Sequence, residues 1–160
     1  MRDLDEIEIH EPAIGFNSSK YEGIRIKLAE IKEIETINWY NGKTEDGKNN
    51  AYNPQSTEVM HKIEIITEQL PMLDEETGIP LATKMFVGKE KTPLTVSARF
   101  NLKKEGDNWV ISKHPKGALW KFMRKMGVEK LSGLKGKVVT LTTEPSANPD
   151  DDRQFLRIVI

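Results

Sequence analysis

The chain has 160 residues, 37% hydrophobic and 31% charged, with a formal net charge of -1. That length and apolar content suit one domain around one core, and no apolar run is long enough to span a bilayer. The absence of cysteine excludes disulfide scaffolds, thiol catalysis and thiolate metal sites.

The start, MRDLDEIEIH, is acidic and lacks the basic and apolar segments of a secretory signal, so a cytoplasmic protein is expected. The near-zero charge is a sum of opposed segments. Residues 1–11 carry one base against five acids, a net of -4. Residues 144–152 carry Glu144, Asp150, Asp151 and Asp152 with no base, again -4. Residues 113–137 carry seven Lys and one Arg against Glu129, a net of +7. A local cationic surface is therefore compatible with a neutral total.

In chain order, residues 1–19 read as an acidic leader, with Ile7 and Ile9 alternating with acids as in a short edge strand, and residues 20–160 as one domain. Residues 21–40 are β-like, with Ile24, Ile26 and Leu28 facing one way and Arg25 and Lys27 the other. The phase then slips, because Ile31, Ile34 and Ile37 do not continue it. A helix over 28–37 would also accommodate Ile31 and Ile34. A long strand with a bulge near residues 29–30 is preferred, since Ile, Thr, Trp and Tyr suit pleated surfaces. Residues 41–56 form a long polar loop rich in Asn and Gly, a length that is uncommon unless functional.

Residues 57–69 return as a strand with Val59, His61, Ile63 and Ile65 in phase. Pro71, Gly78 and Pro80 frame an acidic turn at 74–76, and 81–87 reads as a short strand. Residues 92–102 alternate most cleanly, with Leu94, Val96, Ala98, Phe100 and Leu102 on one face. A turn, KKEGDN, leads to a short strand at 109–112. Residues 115–126 form the best helix: Pro115 suits its first position, Gly127 its C-terminal cap, and Leu119, Phe122, Met123 and Met126 an apolar stripe. Strands at 137–143 and 154–160 flank a second polar loop.

This order predicts a mainly β, OB-fold-like five-stranded Greek-key barrel with one helix between the third and fourth strands. The two long polar loops fall between strands one and two and between strands four and five, the loops such barrels use for ligands.

The stretch SKHPKGALWKFMRKMGVEKLSGLKGKVVTLTTEP, followed by RQFLRIVI, resembles the C-terminal half of phage and prokaryotic OB-fold single-stranded DNA-binding proteins. In that family a helix of Ala-Leu-x-x-Phe type ends in Gly, and a Leu-x-Gly-Lys-x-Val strand follows. The matching positions are Ala118, Leu119, Phe122, Gly127, Leu134, Gly136, Lys137 and Val139. The resemblance implies non-catalytic binding of single-stranded DNA, or RNA, in replication, recombination or repair.

Such binding needs a cationic track for phosphates and aromatic faces for bases. Trp39, Tyr40 and Tyr52 lie in or beside the first long loop with Lys43 and Lys48, as stacking platforms or as core and loop anchors. Arg25, Lys27 and Arg99 lie opposite the core face of their strands, and Lys84 and Phe86 occupy the third; they are phosphate-tracking or simply solvated. Trp109, beside a hairpin turn, is a stacking platform or a core residue. The basic helix is a backbone contact or a solvated face.

No enzyme motif is present: GLKGK precedes a strand rather than a helix and is not a phosphate loop. NPDDD lacks calcium-loop spacing, and His10, His61 and His114 have no local partner at zinc spacing. No catalysis, cofactor or metal is expected. The alternative function is a protein-interaction or assembly module on the same barrel, with protein partners or self-association in place of nucleic acid.

Overall fold

A single long strand organises the molecule. In the computed structural model, which describes residues 4, 16–87, 92–146, 148–150 and 154–160, strand β1 runs Arg25–Ile37. The leader's expected edge strand at Ile7 and Ile9 lies outside the described residues. The first part of β1 pairs antiparallel with β10 (Val138–Pro145), Ile26 opposite Val139. Its second part pairs with β4 (Val59–Thr67), Ile31 opposite Ile65.

Between these parts the register shifts: Leu28 faces Thr67 and Glu30 faces Ile66, leaving Ala29 unopposed. One extra residue restores the phase, so Ile26, Leu28 and Ile31 all reach the core. The bulge expected from the broken alternation is therefore present.

β7 (Ser97–Asn101) adds to the other edge of β4, and β11 (Gln154–Ile158) to β10. The result is a five-stranded antiparallel sheet of order β11-β10-β1-β4-β7. The edge strands β7 and β11 approach within 8 Å between Cα atoms but share no ladder. The sheet is thus not closed by hydrogen bonds.

Among the described residues, three two-stranded hairpins extend from this sheet: β2 (Gly42–Lys43) with β3 (Asn49–Ala51), β5 (Pro71–Leu73) with β6 (Pro80–Met85), and β8 (Lys103–Glu105) with β9 (Asn108–Val110). The first lies where a plain loop was expected, and the second carries the acidic turn at its tip. Leu94, Val96, Ala98, Phe100 and Leu102 do face the core, although only residues from Ser97 onward join the sheet.

The one α-helix among the described residues, α1 (Ala118–Lys125), lies between the third and fourth strands of the sheet in chain order. It starts three residues later than Pro115 suggested. Gly117 caps it, and a Cβ there would meet the Ser112 carbonyl oxygen at 2.8 Å. At its other end Gly127 adopts φ 72°. The Val128 amide donates to Met123 O and the Gly127 amide to Arg124 O, each at 3.0 Å, closing a Schellman cap. Leu119, Phe122 and Met123 are buried, and Phe122 stacks on Phe100 with centroids 5.5 Å apart. Lys121, Arg124 and Lys125 remain exposed. The 3-10 turn Leu131–Leu134 then buries Leu134 and returns the chain to β10.

Two buried polar side chains bond backbone groups outside their own elements. Thr67 Oγ1 accepts from the Val96 amide at 2.9 Å, and the Tyr21 hydroxyl donates to Pro71 O at 2.7 Å. Burial pushes the Tyr21 phenol above its ordinary pKa. Among the described residues no helix is long and apolar enough to cross a membrane.

Deleting Ala29 should turn either Ile26 and Leu28 or Ile31 out of the core. Loss of a cooperative urea transition by circular dichroism is expected. Ala29→Gly keeps the residue count and should retain the transition, with a loss of about 1 kcal/mol.

Candidate nucleic-acid interface

Beyond Ile37, β1 leaves the sheet and its partners become polar. The Asn38 amide donates to Glu58 O at 2.8 Å, and the buried Ser56 hydroxyl donates to Asn38 O at 2.6 Å. Asn41 Nδ2 donates to Glu58 Oε2 at 2.8 Å, and Asn53 Nδ2 to Asn41 Oδ1 at 3.0 Å. The Asn53 amide donates to Trp39 O at 2.6 Å. Backbone groups that a polar loop would otherwise leave to water are therefore paired.

At the hairpin tip, Asp46 accepts from the Thr44 hydroxyl and the Lys48 amide. These contacts hold its carboxyl below the usual range, the Thr44 hydroxyl contributing most. Asn50, at φ 106°, occupies backbone space that favours glycine.

This polar frame holds three aromatic rings outside the core. Trp39, Tyr40 and Tyr52 are 44%, 62% and 63% exposed. Tyr40 and Tyr52 lie with ring centroids 5.8 Å apart at 57°. Lys43 and Lys48 are exposed on the same hairpin, and Lys48 Nζ lies 4.0 Å from Asp46. Five residues singled out from the sequence, Trp39, Tyr40, Lys43, Lys48 and Tyr52, are thus brought together.

The remaining six do not join them. Arg25 and Lys27 begin β1, whereas Trp39 follows its end. At about 3.3 Å per residue that separation is tens of ångströms along the strand. Arg25 and Lys27 flank a groove of about 460 Å³ whose lining includes Gln69, Pro71, Met85 and Val138. Neither cation has an ion-pair partner among the described residues.

Lys84 faces the acidic turn of the β5–β6 hairpin, sharing a depression with Asp74, Glu75 and Glu76. The Thr77 and Glu76 amides hold the Asp74 carboxyl below its ordinary range. Phe86 packs partly buried against the core and edge-on to Phe16, centroids 5.2 Å apart. Trp109 is also partly buried, stacked on His61 at 4.8 Å and 14°, with Lys104 5.9 Å from its centroid. The densest basic segment is spent partly on structure: Lys113 lies 4.8 Å over the Trp120 ring.

Arg99 lies on the edge strand β7, its Nε donating to Glu64 Oε2 at 2.7 Å. Lys32 approaches the other oxygen of the same carboxylate at 3.7 Å. Lys32, Glu64 and Arg99 are register partners across β1, β4 and β7. Sequence reasoning missed Lys32 and Glu64. The signal was the phase slip itself: once a bulge is placed at Ala29, Lys32 must face away from Ile31.

His61 is largely covered. Glu35 Oε1 lies 3.2 Å from its Nε2 and Glu33 Oε2 3.6 Å from its Nδ1. Among the described residues no group of three or more His, Asp or Glu side chains is arranged to hold a metal ion.

Comparison of the chain with protein-family models, curated proteins and solved structures gives no match.

The tyrosines and Trp109 differ in what surrounds them, so their removal should differ in cost. Tyr40→Ala combined with Tyr52→Ala should shift urea-unfolding stability by less than about 1 kcal/mol, as exposed side chains do. Trp109→Ala, which vacates a packed contact on His61 and the core, should cost more than about 2 kcal/mol.

Proposed function

We propose that this chain is a non-catalytic module that binds single-stranded nucleic acid, DNA foremost, on an OB-fold-like Greek-key barrel. The strand order supports the fold assignment. In chain order the sheet strands are β1, β4, β7, β10 and β11, arranged fifth-fourth-first-second-third, with the helix after the third. Closing this order into a barrel would join β7 to β11, the two edges that already approach each other.

The observation that carries the function is the β2–β3 hairpin. It exposes three aromatic rings beside two lysines on a backbone held by side-chain hydrogen bonds. Exposed aromatic area in water is unfavourable unless something covers it. Every base offers a π-face to such rings, and each stacked base contributes about 1–3 kcal/mol. The hairpin joins the first and second sheet strands, the position from which OB-fold loops reach single strands.

The groove beside Arg25 and Lys27 favours a second reading, a protein-interaction module. Its apolar members Met85 and Val138 are partly exposed next to Arg25, Lys27 and Glu68, and neither cation has an ion-pair partner among the described residues.

Titration with oligo(dT) at low salt should quench tryptophan fluorescence, and affinity should fall as salt rises. Tyr40→Ala with Tyr52→Ala should weaken binding by roughly 10- to 100-fold or more. No binding at low salt, with intrinsic fluorescence unchanged, would overturn the reading. A specific complex in light scattering without nucleic-acid affinity would favour the second.

A further inference from the structure

Glu64 is an anomaly on its face of the sheet. It is only 8% exposed, yet it is an acid at the centre of the face that carries Lys32, Lys62 and Arg99. Lys32 Nζ also lies 4.0 Å from Glu30. A covered ion pair is weak support for stability, because desolvation offsets much of the attraction. The geometry of the pair is more informative than its energy. Glu64 Oε2 accepts the Arg99 Nε–H hydrogen bond at 2.7 Å, and the Arg99 side chain stays 54% exposed. Arg99 has no other partner among the described residues. Held through Nε, a guanidinium keeps both terminal NH2 groups available as a planar fork, the arrangement that grips a phosphate by two parallel hydrogen bonds.

We infer that the Lys32–Glu64–Arg99 row is a phosphate-docking site for a nucleic-acid backbone, in which Glu64 is a positioning residue that aims the Arg99 fork and sets the affinity. This rests on the single-strand reading above. Glu64 has two opposed effects: it orders Arg99, and its charge cancels one of the cations that attract phosphate. The charge acts on affinity and its salt dependence, whereas the positioning acts only through Arg99.

The two effects separate in a titration with oligo(dT) across a salt series. Glu64→Gln keeps an oxygen to accept from Arg99 Nε and removes the charge. It should bind roughly five- to tenfold more tightly at about 50 mM salt, with the log-affinity against log-salt slope steeper by about 0.7. Glu64→Ala removes the same charge and also the acceptor, so its gain should be smaller. In an Arg99→Ala background the difference between Gln and Ala should vanish. Arg99→Ala alone should weaken binding by about fivefold and flatten the slope by about 0.7. Arg99→Lys, which keeps the charge without the fork, should not restore wild-type affinity. Thermal unfolding verifies that each variant is folded, and the Gln, Lys and Arg99→Ala variants suffice if Glu64→Ala is not.

Equal gains for Glu64→Gln and Glu64→Ala, or wild-type affinity in Arg99→Lys, would overturn the positioning role. Unchanged affinity and slope in Arg99→Ala, while the Tyr40 and Tyr52 double variant still loses binding, would overturn the docking site and leave the proposed function standing. A wild-type chain that binds no oligonucleotide would overturn both.

Discussion

The structure depends on one unopposed residue. β1 pairs with β10 along its first part and with β4 along its second, and Ile26, Leu28 and Ile31 must reach one core although their spacing breaks strict alternation. An extra residue at Ala29 resolves this by advancing the side-chain phase by one where the strand changes partner. Leu28 and Ile31 are three apart and both reach the core. The Lys137 carbonyl and Gly136 amide meet Leu28 on one side, and the Lys27 carbonyl accepts from Glu68 on the other. The bend therefore keeps its backbone groups paired.

The same phase change distributes the charges. Before the bulge, Arg25 and Lys27 face outward beside an apolar groove. After it, Lys32 aligns with Glu64 and Arg99 across three strands. On the opposite face, beyond the core residues, Glu33 and Glu35 flank His61 under Trp109. One strand thus carries a cationic end, a paired row in the middle and an acidic end. The neutral total of the chain conceals this gradient, since opposite charges cancel in a sum whether or not they are neighbours.

The aromatic hairpin follows a different physical rule from the core. The core around Phe122, Leu28 and Ile65 is held by removing apolar surface from water. The hairpin is held by Asn38, Asn41, Asn53, Ser56 and Glu58, short polar side chains bonded to one another and to backbone. This releases its rings from any packing duty. Trp109 and Phe86 show the contrast, since they look equally suitable in sequence but are spent on contacts with His61 and Phe16.

Local periodicity was enough to determine the β-rich class, the bulge in the first strand, the apolar faces of the later strands and the buried stripe of the helix. Each of these is set by neighbours two to four residues apart. It also located the hairpin aromatics, because Gly, Asn and Pro mark a segment that cannot join the core. The helix starts later than Pro115 suggests: residues 114–117 form a turn in which the Gly117 amide donates to His114 O, and Pro115 lies inside that turn rather than at the first helical position.

Only the tertiary structure decided which charges meet. Lys32, Glu64 and Arg99 lie far apart in sequence, and cross-strand register makes them neighbours. It also decided that Arg25 and Trp39 stand at opposite ends of one strand, that Lys84 belongs to an acidic turn, and that β7 and β11 approach without joining. Sequence pattern reports which way a side chain points; which partner it finds depends on strand pairing between segments dozens of residues apart.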